Sequence, residues 1–194
     1  MSTPTVMSAK TQDRERVISA IILAFVDDPV ARWSWPEPHD YLTYFTEFAN
    51  VFGGKAFEHG TAYSVAEFSG GALWLPPGVE PDEKVLVALM ERSIDPKRLQ
   101  VVFTIFEKMG SCHPTEPHWY LPLIGVEPTK QGRGYGSALL GHALEHKDHE
   151  GRIAYLESTN PANIPLYQRH RFEVIGTIQV GDSPPLYPMI RRPR

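Results

Sequence analysis

A continuous apolar run that ends in a glycine turn and continues as a helix restricts the fold of this chain more than any other feature. HWYLPLIGV (118–126) has the length and character of a buried strand, SALLGHALEHK (137–147) carries its leucines at helical spacing, and RIAYLEST (152–159) is again strand-like. That order predicts a βαβ unit whose two strands are parallel neighbours. Between strand and helix, VEPTKQGRGYGSALL (126–140) sets Gly132, Gly134 and Gly136 immediately ahead of Ser137. Glycines there permit positive φ and close approach of the backbone to a ligand. The N–H groups gathered at the start of the helix favour an anion, most often a phosphate.

The rest of the chain builds around this unit. Residues 10–27 place Val17, Ile18, Ile21, Ile22 and Phe25 at helical spacing, with a stop at Asp27-Asp28-Pro29. A loop punctuated by proline then carries Trp33 and Trp35. HDYLTYFTEFANVFGG (39–54) stacks Tyr41, Tyr44, Phe45, Phe48 and Phe52 on a second helix ended by Gly53-Gly54. TAYSVAEF (61–68) and GGALWLP (70–76) form a hairpin turning at Ser69-Gly70, and a polar helical stretch runs from about Asp82 to Met109. NPANIPLYQRH (160–170) is a short helix, and FEVIGTIQV (172–180) and LYPMIRR (186–192) are closing strands. The expectation is one mixed α/β (α+β) domain over residues 1–194, with a mostly antiparallel central sheet around the parallel unit.

Charge and composition exclude several partners. With 19 Lys and Arg against 23 Asp and Glu, the formal charge of −4 provides no basic field for nucleic acid apart from the short IRRPR tail. No segment approaches the roughly 18 consecutive apolar residues of a membrane span. MSTPTVMSAKTQDRER lacks the apolar centre of a secretory signal, and the lone Cys112 forms no internal disulfide, so the cytoplasm is expected.

The glycine turn does not match the common nucleotide loops. A triphosphate loop needs Lys before Ser137, and there is none; a dinucleotide fingerprint begins at Gly132-Arg133-Gly134, with Glu157 near the ribose position, but fails at Ser137. HALEH (142–146), with His149, has the spacing of a zinc protease motif. On a helix, however, Leu139, Leu140, Ala143 and Leu144 share one face, and His142, Glu145, His146 and His149 take the opposite, solvated one. No metal is expected. No serine sits in a nucleophile elbow, and Cys112, beside His113, reads as an inert loop thiol.

Taken together, V-x-P, Gln131-x-x-Gly134-x-Gly136, a helix, a strand, and Asn160 followed seven residues later by Tyr167 resemble the GNAT superfamily of N-acetyltransferases. AFVDDPVARW, GGALWLPPG, EPHWYLPLIGVEP and YLESTNPANIPLYQRHRFEV look like its puromycin N-acetyltransferase branch, so the resemblance spans nearly the whole chain. It implies a sheet splayed at an acetyl-CoA site, with helices on both faces. It also implies a coenzyme-binding core at about 116–180 and an acceptor-side region at about 1–110. The turn Gln131, Gly132, Arg133, Gly134, Tyr135, Gly136, Ser137 would wrap the diphosphate of acetyl-CoA without metal, and Asn160 would join it. The backbone of Ile124, Gly125 and Val126, splayed at a bulge, would face the thioester. The implied reaction is direct acetyl transfer to a primary amine of a small molecule or peptide, by a monomer or homodimer.

Roles for side chains follow. Tyr167 occupies the general-acid position of the resemblance, and Tyr120 the place where a base often stands. A phenol is a poor base at neutral pH, so His118 or a water chain is the expected proton route, with Tyr120 as relay. Asp28, Trp33 and Trp35 pair a carboxylate with aromatic faces, which suits a cationic or aromatic amine. Two positions depart from the pattern: Arg171 stands where a glycine usually ends the helix, and Asn163 where small apolar residues are common. The rival reading is a non-catalytic CoA-binding sensor or regulator on the same fold, with the tail and the 82–109 helix as partner surface.

Overall fold

The computed structural model describes residues 4–193, so Met1–Thr3 of the N-terminal stretch and Arg194 of the basic tail lie outside the described residues. In chain order the elements are β1 (Val6–Ser8), α1 (Arg14–Ala24), α2 (Pro29–Ser34), α3 (Pro38–Asp40), α4 (Thr46–Gly53), α5 (Lys55–Glu58), β2 (Ala62–Val65) and β3 (Gly70–Leu75). Then follow α6 (Glu83–Ser93), α7 (Pro96–Cys112), β4 (His118–Val126), α8 (Tyr135–His149), β5 (Ile153–Ser158), α9 (Ile164–Arg169), β6 (Glu173–Val174) and β7 (Tyr187–Arg191). The seven strands form one sheet in the order β1-β2-β3-β4-β5-β7-β6. Only β4 and β5 pair in parallel, as the βαβ reading requires. Among the described residues no helix is long and apolar enough to cross a membrane.

Alternation along the strands sorts side chains to two helix layers. Leu73, Leu75, Tyr120, Leu123 and Tyr155 face a core shared with the helices of the first half of the chain. Ala72, Trp74, Trp119, Leu121, Ala154 and Leu156 face α8 and α9. The helix α1 lies directly on β4. A Cβ on Gly125 would meet Ala24 Cβ at 2.5 Å, so glycine is what lets helix and strand touch there.

Several local expectations are corrected. The stretch around Trp33 is not a loop: Pro29 starts α2, and Asp28 caps it by accepting from Val30 N and Ala31 N at 3.0 Å each. Gly53-Gly54 does not stop the aromatic helix, which passes from a π-helical turn at Tyr41–Phe45 through α4 into α5; Gly54 keeps helical angles. The hairpin turns at 66–69, where Ala66, Glu67 and Phe68 hold φ of 48, 55 and 71, and Gly70 already belongs to β3. The 82–109 stretch is two helices because Pro96 forbids helical backbone at the residue before it. FEVIGTIQV contributes only the two residues of β6 and an isolated bridge from Ile178 to Leu186. Arg171 keeps a left-handed φ of 68, a strain of about 1 kcal/mol that a glycine would not carry.

Two cations are absorbed into the fold. Arg191 is buried at 3% exposure, forks onto both Asp148 oxygens at 2.7 Å and donates from Nε to His170 O at 3.0 Å. The tail residue Arg191 is therefore a structural tie between β7 and α8. Lys147, on the buried side of α8, sets its ammonium 4.1 Å from the Trp119 ring and 4.3 Å from Trp74. Burial pushes its pKa down to about 7 from 10.5, against the pull of the Glu150 carboxylate. Between those values the unfolded chain holds a proton that the folded chain lacks, so stability rises with pH across that window. Lys147→Met should fold, and the difference in Tm between the two proteins should narrow steadily from pH 7 towards pH 10. A difference that stays constant would show that Lys147 titrates normally.

Candidate active site

The central cleft opens where β4 and β5 part. Their ladder runs only from His118↔Ile153 to Tyr120↔Tyr155, although β4 continues to Val126 and β5 to Ser158. On its other edge β4 carries a bulge: Leu73 pairs with Leu123 and Leu75 with Tyr120, so Leu121-Pro122 oppose the single residue Trp74. Proline, which has no N–H to give, sits at the irregularity. The bulge thus precedes the expected Ile124–Val126, which pair regularly with Ala72, Gly71 and Gly70. The cleft wall is mostly aromatic and aliphatic, including Trp35, Phe45 and Phe48, with polar groups from Asp28, Tyr120, Glu157, Thr159, Asn163 and Tyr167.

Tyr167 comes from α9, whose approach is fixed by Asn160. That side chain accepts from Ala162 N at 3.0 Å, and Ser158 Oγ donates to Asn160 O at 2.9 Å. The phenol is buried, with its ring edge-on to Phe172. Burial, helped by the nearby Asp28 charge, raises its pKa, so the hydroxyl keeps its proton well into alkaline solution.

Asp28 is a tie as well as a cap. One oxygen accepts from the start of α2, and the other accepts from Thr159 Oγ1 at 2.5 Å, joining α2 to the end of β5. Its burial raises its pKa against the pull of those three hydrogen bonds. Trp35 is buried in the cleft wall with its indole N–H on Ser93 Oγ at 3.2 Å, whereas Trp33 packs under the Arg98 guanidinium and does not line the cleft.

Tyr120 is fully packed, and its hydroxyl donates to Glu157 Oε2 at 2.9 Å; burial first and the glutamate second push its pKa well up. His113 Nε2 stands 3.4 Å from Glu157 Oε1, and His113 Nδ1 is 3.0 Å from His118 Nε2. His118 Nδ1 lies 2.8 Å from Glu116 O, and burial lowers the pKa of this ring. The group thus holds the expected His118 and Tyr120, together with Glu157 and His113, which the sequence does not assign to it. Glu157 was legible: it stands two residues after Tyr155 on the strand paired in parallel with His118 and Tyr120, hence on their face. His113 lies in the connection from α7 to β4, and no periodicity places it.

Past the end of β4, two of the three turn glycines are left-handed, while Gly136 lies inside α8, which starts at Tyr135 rather than at the expected Ser137. Gly132 has φ 73, and Gly134, with φ 81, is the left-handed N-cap of α8. A Cβ at either position would meet nothing within 4 Å, so the backbone there lies open. Gln131 bends back to donate to Val126 O at 3.1 Å, and Arg133 is exposed. Ser137 Oγ shares a 2.7 Å hydrogen bond with His170 Nε2, and Tyr135 packs partly against the core. On the opposite flank of α8, Glu145, His146 and His149 are exposed, while His142 is half-buried against Tyr63. Among the described residues no group of three or more His, Cys, Asp or Glu is placed to hold a metal ion.

Comparison with known proteins matches a family model described as the acetyltransferase (GNAT) family to residues 22–172. An uncharacterized N-acetyltransferase of Schizosaccharomyces pombe is 26% identical, over 96% of this chain and 84% of its own. Among solved structures, the Corynebacterium glutamicum protein named histone acetyltransferase HPA2 and related acetyltransferase superposes with a TM-score of 0.70. It is 26% identical, and the match covers 100% of this chain and 98% of that one. A polyamine N-acetyltransferase of Drosophila melanogaster shares the fold at a TM-score of 0.69 and 14% identity, over 97% of this chain and 99% of its own.

Proposed function

The chain belongs to the acetyltransferase (GNAT) family, and from that premise we propose that it transfers an acetyl group from acetyl-CoA directly to a primary amine, with Tyr167 as general acid. The observation that carries this reading is that Tyr167 and the Tyr120–Glu157 pair line one cleft where two parallel strands part, beyond which a left-handed glycine turn opens a helix. The turn from Gln131 to Ser137 suits a diphosphate, because its N–H groups and the start of α8 offer fixed positive ends and no metal is needed. Arg133 and Lys130 add charge beside it. The edge of β4 at Ile124, Gly125 and Val126, free of β5, suits the amides of the coenzyme's arm and the thioester carbonyl. Asn160 holds the start of the helix that carries Tyr167.

The chemistry follows from this placement. The amine loses a proton, its nitrogen attacks the thioester carbon, and the C–S bond breaks with its electron pair on sulfur. Tyr167 hydrogen-bonds and protonates the departing thiolate, and His118 with Tyr120 provides the proton route. The region at about 1–110 shapes the acceptor side and that at about 116–180 holds the coenzyme. A wall of aromatic rings with Trp35, and Trp33 behind it, favours an amine on an apolar or aromatic body, and the Asp28 carboxylate favours its positive charge. The four segments resembling the puromycin N-acetyltransferase branch support an acceptor of small-molecule size. Such an enzyme would draw its acetyl-CoA from the cytoplasm.

A screen of small amines, antibiotics and short peptides with detection of released thiol tests this reading. Acetylation of at least one hydrophobic primary amine, undiminished by a metal chelator, is expected. Binding of acetyl-CoA with no thiol release from any acceptor would favour the sensor reading.

A further inference from the structure

We propose that Glu157 takes the proton from the acceptor amine, and that His113 and His118 pass it to solvent through a second opening on the other side of Tyr120. This deepens the transferase reading and rests on it. Glu157 lines the same cleft as Tyr167, yet its side chain is only 3% exposed. Its two oxygens are unequal: Oε2 accepts from Tyr120, whereas Oε1 makes no hydrogen bond among the described residues. The buried hydroxyl of Tyr155, on the same strand face, lies beside this carboxylate. A buried carboxylate oxygen that no donor satisfies is costly, and here it stands beside the cleft that Glu157 lines, where an ammonium can reach it.

The hydrogen-bond pattern assigns the protons. A carbonyl only accepts, so His118 Nδ1 donates to Glu116 O and, in the neutral ring, Nε2 is left as an acceptor. His113 Nδ1 must then donate to it, which leaves the lone pair of His113 Nε2 facing Glu157 Oε1 across 3.4 Å. With Glu157 ionised, the chain is one proton short at that gap. One added proton turns a repulsion between lone pairs into a charge-assisted hydrogen bond. An ammonium in the cleft supplies it.

The transfer balances as follows. A proton passes from the ammonium to Oε1, and the N–H electron pair stays on nitrogen to form the new C–N bond. The C–S pair leaves on sulfur, which takes the proton of Tyr167; the phenolate recovers one from the nitrogen of the new amide through water. The single excess proton moves from Glu157 to His113 Nε2, and His113 hands its Nδ1 proton to His118. Both histidines line the second opening together with Glu80, Glu83, Glu107 and Glu116, and no lysine or arginine lines either opening. The groups facing Glu157 are Tyr120 and His118 from β4, Tyr155 from β5, His113 just past α7, and Asp28 and Tyr167 in the wall of the same cleft.

The test uses Glu157→Gln, whose amide oxygen still accepts from Tyr120 but takes no proton. In the free protein, nitrogen NMR of the neutral imidazoles should show His113 and His118 both protonated at Nδ1 and bare at Nε2. With acetyl-CoA and the most active amine of the screen, kcat/KM at pH 7 should fall by about 100-fold or more. That deficit should shrink as pH rises toward the pKa of the amine, while calorimetry finds acetyl-CoA affinity unchanged. His113→Gln should show the same trend with smaller amplitude, and it replaces the first variant if that fails to fold. An Nε2–H tautomer at His113, or a kcat/KM deficit constant at every pH, overturns the proposal. If the wild type acetylates no amine, the transferase reading fails by itself, and the imidazole tautomers still decide whether a His113 lone pair faces Glu157.

Discussion

Replacing Tyr167 with phenylalanine is expected to lower kcat by about two orders of magnitude while leaving the fold and acetyl-CoA affinity intact. The ring is buried against Phe172 and supports the second core, and phenylalanine keeps that packing. What is lost is one hydroxyl in the cleft wall. A positioned proton donor contributes about 10² to 10⁴ in rate, because a thiolate leaves more readily when its charge is taken up as it forms. Burial raises the pKa of this phenol, so the wild type should show no alkaline loss of activity from Tyr167 up to about pH 10. Equal kcat for the two proteins at several pH values, with chemistry shown to be rate-limiting, would make the hydroxyl structural.

Gly134→Val should remove acetyl-CoA binding. The position has φ 81, where a β-branched residue is strongly disfavoured, so the turn must move to accommodate it. Nothing in the protein itself crowds a Cβ there, which separates this site from Gly125, where α1 would collide. The folded state should therefore survive the change at 134, with a cost of about 1–2 kcal/mol in stability. The N–H groups at the start of α8 would lose their alignment on the diphosphate, and the added methyl groups would enter its space. Calorimetry is expected to find no measurable binding in a protein whose circular dichroism is unchanged. Wild-type affinity in a folded variant would separate the glycine turn from the coenzyme.

Where backbone rules act alone, the sequence was readable. Gly132 and Gly134 took positive φ, the apolar run at 118–126 became a strand, and the helix between two strands forced their parallel pairing. Elements were missed where two signals compete over a few residues. Asp28-Pro29 reads as a turn, but the same pair is a cap followed by a first helical position, and only packing of Ala31 into the core selects the helix. Gly53-Gly54 carries a stop signal that tertiary contacts override. The tail resembled a basic patch because pairing of Arg191 with Asp148 joins positions 43 apart, which no local pattern reveals. The site divides in the same way. Tyr167 and the glycine turn lie in recognisable spacings and Glu157 follows from strand alternation once β4 and β5 pair, whereas His113 reaches Glu157 from the connection between α7 and β4, which no local pattern places.

The most direct measurement is a crystal structure with acetyl-CoA bound. The account predicts the diphosphate on the N–H groups of residues 132–137, the arm between β4 and β5 beyond Tyr120, and the sulfur within about 3.5 Å of the Tyr167 hydroxyl, at hydrogen-bonding range for a soft acceptor. Glu157 Oε1 should face the space beside the acetyl carbon. A coenzyme seated elsewhere, or one whose sulfur lies out of reach of Tyr167, would contradict it.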